Sequence, residues 1–168
     1  MHLPIDPMAP IASEHIPSGD VWGYQLKWDG VRIIAELADG EVNLYSRSGL
    51  RKNSAYPELA ALLAQLSMSR TVVDGEAVVF DSVKQRPSFQ LVLQRERLKH
   101  EARIKESLNR LPTTYVLFDL LEYEGIDMRG FPYSERHKQL MALFPERRDQ
   151  LFVTDLFTEA QPLWEWVQ

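Results

Sequence analysis

The stretch KWDGVRIIAELADGEVNLYS, residues 27–46, predicts a β-hairpin. Two apolar runs, residues 31–37 and 42–46, flank the pair Asp39-Gly40. An Asp-Gly pair between such runs is typical of a tight hairpin turn. Residues 22–27 predict a further strand just before the hairpin. We therefore expect Lys27 at a junction between two strands, where a turn projects its amine beyond the sheet.

The rest of the chain predicts both strands and helices. Hairpin signals, rather than regular strand–helix alternation, favour an α+β fold with largely antiparallel sheets and flanking helices. The predicted strands are residues 71–80, 113–121 and 151–156. Four helical segments are predicted. The first runs from Pro57 to residue 66, and the second from residue 88 to about 109, in one piece or two. The third runs from a cap at Ser134 to residue 144, and the fourth starts at a capping box formed by Thr158 and Gln161.

Composition places the 168-residue chain among ordinary globular proteins, with 45% hydrophobic and 26% charged residues. Residues 1–20 hold four prolines and predict an extended lead-in, and residues 21–168 predict one domain. No apolar run reaches the ~18 residues of a spanning helix, so we expect a cytoplasmic protein without a membrane partner. The lack of cysteine excludes disulfides and thiolate metal sites. A net charge of −5 argues against a dedicated nucleic-acid binder, but not against an enzyme with a local basic patch.

The hexapeptide from Lys27 to Arg32 carries the clearest chemistry. Ordinary lysines are almost fully protonated at neutral pH, so a nucleophilic lysine needs desolvation or neighbouring cations. A divalent cation held by Asp29 would supply such a charge. Gly30 allows a tight turn, and the guanidinium of Arg32 suits phosphate. The same residues also fit a charged surface turn.

Three further segments favour a nucleotide site when they are taken together. Ser46-Arg47-Ser48-Gly49 can surround a phosphate with donors, although a polar loop is the simpler explanation. Asp74-Gly75-Glu76 interrupts an apolar strand, which is costly unless the acids face a cleft, a cation or a ligand; a bulge or turn is equally possible. Phe118 lies in the apolar run 115–121 and could stack on a base, or be core. Their order and spacing favour the nucleotide interpretation.

At these residues the chain resembles the covalent nucleotidyltransferases, which include ATP-dependent DNA ligases, RNA ligases and mRNA capping enzymes. Their first motif, Lys-x-Asp-Gly-x-Arg, is matched from Lys27 to Arg32. Asp74-Gly75-Glu76 matches the third motif, and Phe118-Asp119-Leu120-Leu121 the next. Residues 23–26, 46–49 and 88–95 look most like bacterial ligases of the end-joining type. The resemblance covers about residues 7–168 and implies an ATP-grasp-like ligase nucleotidyltransferase domain.

The resemblance also implies roles for individual residues. Lys27 would attack the α-phosphate of ATP, release pyrophosphate and hold AMP for transfer to nicked or broken duplex DNA in repair or recombination. Asp29 and Glu76 would place Mg²⁺. Gln25 departs from the glutamate that the family often has near the adenine amino group. The implied nucleotide-binding residues are Gln25, Leu26, Lys27, Arg32, Arg47, Glu76 and Phe118.

Some expected parts of such a ligase are not among these 168 residues. The family's later Glu-Gly-x-x-x-Lys segment, its paired lysines and its oligonucleotide-binding-fold domain are absent. We therefore expect an incomplete domain that is a poor or inactive ligase by itself: a fragment, a truncated gene product or one half of a split enzyme. A second polypeptide that supplies the missing motifs and a DNA-end-binding protein are its candidate partners. An RNA ligase, a capping-type enzyme, a non-catalytic remnant that binds nucleotide or a partner, and a structural domain with coincidental motifs are the alternatives.

Overall fold

A computed structural model describes residues 3–148 and 150–167. Its elements, in chain order, are β1 (Val31–Ala38), β2 (Glu41–Ser46), α1 (Pro57–Ala64), β3 (Thr71–Asp81), β4 (Arg86–Pro87), α2 (Phe89–Glu96), α3 (Glu101–Arg110), β5 (Thr113–Tyr123), β6 (Ile126–Asp127), α4 (Tyr133–Leu143), β7 (Leu151–Val153) and α5 (Ala160–Val167). No helix in the described ranges is long and apolar enough to cross a membrane.

The predicted hairpin is confirmed by the pairing of β1 with β2. The two strands run antiparallel, from Ala38 opposite Glu41 to Ile33 opposite Ser46. Asp39 and Gly40 both have positive φ, of 50° and 85°. Two consecutive positive φ angles match the right-handed twist of the flanking strands, which is why Asp-Gly is favoured in this turn.

The strands of the described residues form one sheet in the order β2-β1-β3-β5-β6. All the neighbours in this order pair antiparallel. The short β4 pairs with β3, and β7 pairs in parallel with residues 115–117 of β5. Helices flank this sheet, so the expected α+β fold with largely antiparallel strands is confirmed.

The main core covers one face of the sheet. Strand residues such as Ile33, Val73 and Leu117 pack there with Leu59 of α1 and Leu140 of α4. Because successive strand side chains alternate between faces, the residues between them point to the opposite face. Two smaller apolar clusters and the polar residues of the candidate site lie on that second face.

Residues 3–20 contain no helix or strand, and the start of this segment packs against the second face of the sheet. Ile5 is buried against Ile34, Val72 and Leu121. The carbonyl oxygen of Met8 accepts a hydrogen bond from Arg32 Nη2 at 2.8 Å. The proline-rich segment is therefore held across the sheet.

Three local predictions, one of a strand and two of helix caps, were wrong. In residues 22–27, Tyr24 alone makes a β-bridge, with Phe157, so this segment is not a regular strand. Ser134 is not the cap of α4, because that helix begins at Tyr133 and has Pro132 at its N-cap. The capping box of Thr158 does not form, since the Gln161 side chain donates to Glu165 at 2.8 Å.

Candidate active site

The segment that carries Lys27 is fixed on both sides by residues distant in sequence. Before it, the Tyr133 hydroxyl lies 2.7 Å from Gln25 Oε1. After it, Trp28 Nε1 donates to Thr154 Oγ1 at 3.0 Å. The Lys27 side chain itself is 90% exposed. The backbone on either side is therefore anchored while the amine remains free to reach a ligand.

Gly30 is required by close packing rather than by its backbone angles. A Cβ atom at this position would lie 2.3 Å from the carbonyl oxygen of Ala77 and 2.7 Å from Glu76 Cγ. Its φ is not among the positive values found in the chain. The sequence interpretation, a glycine for a tight turn, is therefore corrected. The missing side chain lets the Lys27 segment lie directly on β3.

A cleft of about 380 Å³ opens beside this segment. Its volume falls in the usual range of small-molecule sites. It combines apolar walls with a lysine, an arginine and a carboxyl group, and its lining consists of Met8, Pro10, Gln25, Leu26, Lys27, Trp28, Arg32, Glu76 and Phe118. The structure thus brings together six of the seven residues predicted for nucleotide binding.

A second cavity of similar volume lies on the other side of residues 25–27, against α5. It is lined largely by apolar side chains, including Ile16, Leu163 and Trp164. Arg32, Glu76 and Phe118 do not contribute to it. The first cleft is therefore the candidate active site.

Arg32 is held in a buried ion pair with Asp74. Its Nε and Nη2 atoms donate to the two Asp74 oxygens at 3.0 and 2.6 Å. Asp74 is fully buried, which raises its pKa to about 6 against the opposing effect of Arg32. The same pair raises the pKa of Arg32, which remains a cation. The guanidinium also lies 5.6 Å from the Phe118 ring centroid. Asp74 therefore orients Arg32, and the cation that this buried acid meets is the Arg32 guanidinium.

Glu76 faces the cleft and is opposite Arg32 in the strand register. Within the described ranges its carboxyl group has no hydrogen-bond partner. Partial burial raises the pKa of Glu76 to about 7, although Lys27 and Arg32 act to lower it. A carboxyl group with a pKa near neutrality can release its proton and then bind a cation or accept a hydrogen bond from a ligand hydroxyl.

We expect Glu76→Gln to stabilise the protein more at pH 8 than at pH 5. From its ordinary value of 4.5 up to about 7, the folded state retains a proton that the unfolded chain has released. Wild-type stability therefore falls across this window, and glutamine removes that fall. After allowance for partial exposure, the gain is about 1 kcal/mol. Urea unfolding at both pH values measures it, with exposed Glu159→Gln as the control. A gain independent of pH would contradict the assignment.

Asp29 lies beside Lys27 but outside the lining of the cleft. Asp29 Oδ1 is 3.4 Å from Lys27 Nζ, and both side chains are mostly exposed. The described part of the chain holds no group of three or more metal-ligating side chains. Mg²⁺ is commonly bound by one or two carboxylates together with substrate phosphates and water. Glu76, with its unpartnered carboxyl group, and Asp29 fit that donor set.

Arg47 is not brought into the cleft. It lies exposed in the loop after β2, where Ser46 Oγ contacts Ser48 Oγ at 3.0 Å and accepts from Leu50 N at 3.1 Å. The loop is therefore ordered by its own hydroxyl groups. Arg47 faces solvent, where a second phosphate-bearing molecule could reach it.

Phe118 owes its position to a β-bulge that the sequence did not reveal. In the pairing of β3 with β5, Asp74 is opposite Asp119 and Gly75 is opposite Leu117, so Phe118 is the extra residue. A bulge re-aims a side chain and frees backbone groups from the ladder. The Tyr133 hydroxyl contacts the freed carbonyl oxygen of Phe118. Tyr133 is thus a residue of the site that sequence analysis missed.

The family described as ATP dependent DNA ligase domain matches residues 9–166 of the chain. The chain belongs to this family. Among curated relatives, this chain is 39% identical to a multifunctional non-homologous end joining protein LigD of Pseudomonas aeruginosa, over 82% of the chain's length. It is 30% identical over 95% of the chain to the bifunctional LigD of Bacillus subtilis. It is 33% identical over 82% to a DNA ligase of Thermococcus fumicolans.

Solved structures agree with this membership. The ligase domain of Mycobacterium tuberculosis LigD superposes with a TM-score of 0.64 at 34% identity, over 80% of this chain and 40% of that one. A mycobacterial DNA ligase D complexed with ATP and MES gives 0.62 at 34% identity, over 80% and 39%. The chain spans 15%, 28% and 25% of the three curated relatives named above. The chain therefore corresponds to only part of each relative, and the activities of the whole relatives are proposals for this ligase domain.

Proposed function

We propose that this ligase domain transfers AMP from ATP to Lys27, as the first step of sealing breaks in duplex DNA. The observation that carries the proposal is one cleft lined by the Lys27 amine, the Phe118 ring and the Arg32 guanidinium. An exposed amine on a fixed segment, a flat ring and a phosphate-binding cation meet the needs of a covalent nucleotidyl transfer. The named relatives, which are DNA ligases and end-joining proteins, support it.

The reaction forms one P–N bond and breaks one P–O bond. Lys27 Nζ, which is exposed, must first release a proton to the solvent and lose its contact with Asp29. Its lone pair then attacks the α-phosphorus, and pyrophosphate leaves with the electrons of the broken bond. The phosphoramidate stays reactive, because its nitrogen is a good leaving group once it is protonated. AMP then passes to the 5′-phosphate at a break.

The remaining side chains bind and orient the nucleotide. Phe118 stacks on the adenine, a contact worth about 1–3 kcal/mol. Gln25 and Leu26 border the base. Arg32 keeps Nη1 available for phosphate while Nε and Nη2 are held by Asp74 and Met8. Glu76 contacts the ribose.

Two proposed contacts concern groups beyond the nucleotide. Mg²⁺, when bound through Asp29 and Glu76, would neutralise phosphate charge. Arg47, which lies outside the cleft, contacts phosphates of the broken DNA strand. We propose that the protein acts on DNA in the cytoplasm, where a DNA-end-binding protein or a second polypeptide would complete the assembly.

Differently labelled nucleotides test the proposal. Purified protein is incubated with Mg²⁺ and ATP labelled on either the α- or the γ-phosphate, and covalent label is then measured on denaturing gels. We expect label from the α-position alone, and peptide mass spectrometry should place it on Lys27. Label from GTP instead would favour a capping-type enzyme. No label from either nucleotide would favour a non-catalytic remnant.

We expect the 168 residues by themselves to seal nicks poorly even when Lys27 becomes labelled. Phosphoryl transfer depends mainly on charge positioned around the phosphate. The Glu-Gly-x-x-x-Lys segment and the paired lysines that the family uses for this are not in the sequence. Sealing of a nicked duplex, with nicked RNA as the comparison substrate, measures the effect. Efficient sealing by this polypeptide alone would contradict the expectation.

A further inference from the structure

In one orientation of the Gln25 amide, the hydrogen-bonding groups of Gln25, Tyr133 and Phe118 cannot all be paired. With Oε1 towards the tyrosine, the Tyr133 hydroxyl lies 2.7 Å from that oxygen and also contacts the Phe118 carbonyl oxygen. Both are acceptors, and a hydroxyl group has one hydrogen to donate. Meanwhile Gln25 Nε2 is buried without a partner. A buried, unpaired amide donor costs about 1–3 kcal/mol.

A half-turn of the amide satisfies all three groups. The nitrogen and oxygen ends of a glutamine side chain are nearly the same size, so the turn needs no repacking. Gln25 Nε2 then donates to Tyr133 Oη, and Tyr133 donates to the Phe118 carbonyl oxygen. Burial raises the pKa of Tyr133, so its hydroxyl remains a donor. Gln25 Oε1 then takes the buried, unpartnered position of a side chain that lines the cleft.

Tyr133 is well placed to enforce this orientation. It is the first residue of α4, and the Arg136 guanidinium lies 5.2 Å from its ring centroid. Arg136 is itself held by Asp119 through hydrogen bonds of 2.8 and 3.0 Å. Asp119 is the neighbour of Phe118 in β5. The tyrosine therefore belongs to the same rigid unit as the aromatic ring of the cleft.

We propose that Tyr133 is a positioning residue for base selection, which turns the Gln25 amide so that it presents a hydrogen-bond acceptor to the nucleotide base. This inference rests on the proposed function, because it requires a purine in this cleft. Stacking on Phe118 accepts every base alike. The amide edge then selects a 6-aminopurine, whose amino group donates, over a 6-oxopurine, whose carbonyl oxygen faces a second acceptor.

The test compares equilibrium binding of ATP and ITP, which differ at the 6-position of the base. We expect the wild-type protein to prefer ATP, and Tyr133→Phe to reduce that preference about tenfold, since the freed amide can offer its NH₂ group to ITP. The double variant Gln25→Glu/Tyr133→Phe should recover the preference. A carboxylate accepts through either oxygen and needs no orientation.

The outcomes separate this inference from the proposed function. If Tyr133→Phe weakens ATP and ITP equally, its role is structural and the inference is wrong, whether or not Lys27 becomes labelled. If the preference changes as expected but α-labelled ATP leaves no covalent label, the proposed function fails alone. A wild-type protein that binds neither nucleotide, or that prefers ITP, overturns the inference directly.

Discussion

Replacement of Lys27 by arginine abolishes covalent labelling by α-labelled ATP, with little change in stability or nucleotide affinity. The Lys27 side chain is 90% exposed, so arginine fits without repacking and keeps the positive charge. A guanidinium is not deprotonated in proteins and supplies no nucleophilic lone pair. At a given pH the neutral fraction of an arginine is about 10²–10³-fold smaller than that of a lysine, so we expect label to fall by at least that factor. Gel quantification of the labelled protein and equilibrium ATP binding measure the two quantities separately.

Lys105→Arg is the matched control for this variant. Lys105 is likewise exposed, at 72%, and pairs with Glu101 on the surface of α3 at 3.0 Å. We expect it to label like the wild type. Retained labelling of Lys27→Arg would show that another residue accepts AMP. Loss of ATP binding together with label would show that the lysine holds the nucleotide instead of attacking it.

Local sequence patterns were sufficient to predict the hairpin and the two long strands of the sheet, but not the short strands β4 and β6 or the strand order. The hairpin turn at Asp39 and Gly40 forms because its residues tolerate positive φ, a property of those residues alone. Strands β3 and β5 followed from long apolar runs, which are typical of strands buried on both faces. The order of the motifs and their resemblance to the family also predicted a shared nucleotide site, and the structure adds that Arg32 lies opposite Glu76 on neighbouring antiparallel strands.

The parts that sequence analysis missed depend on contacts distant in the chain. Residues 22–27 look like a strand, but their order comes largely from Tyr133 and Thr154, which lie 108 and 126 positions beyond Gln25 and Trp28. No periodicity encodes such partners. The sequence pointed to the two acids of β3, but it did not show that Asp74 and Glu76 have different roles. Asp74 and Glu76 share one face of β3, yet Asp74 is fully buried with Arg32 whereas Glu76 lines the cleft, because their neighbours on that face differ.

The bulge at Phe118 shows the same limitation at the level of one residue. Phe118 sits in an apolar run that predicts an unbroken strand, and nothing in that run marks the extra residue. Next to this bulge, the Tyr115 ring lies where a side chain on Gly75 would be, 2.6 Å from its ideal Cβ. The close packing of a glycine on one strand and a tyrosine on the next could not be read from either strand alone.

Gly30→Ala should disrupt both the fold and the site. Its Cβ would lie 2.3 Å from a backbone oxygen of β3, which cannot move without displacing the sheet. Overpacking of this kind costs about 3 kcal/mol, or a fall in Tm of roughly 10 °C for a domain of this size. The same atom lies 2.7 Å from Glu76 Cγ, so the cleft carboxyl group shifts as well. We expect covalent labelling to fall even at temperatures where the variant is folded.

Gly130→Ala makes the corresponding change where nothing lies within 4 Å and φ is not positive. Its Tm and labelling should match those of the wild type, so any effect at position 30 belongs to that position. Calorimetry and labelling of both variants at 20 °C below their own Tm separate lost stability from a displaced site. If Gly30→Ala labels normally once it is folded, the close approach to β3 holds the sheet together without positioning the reacting lysine.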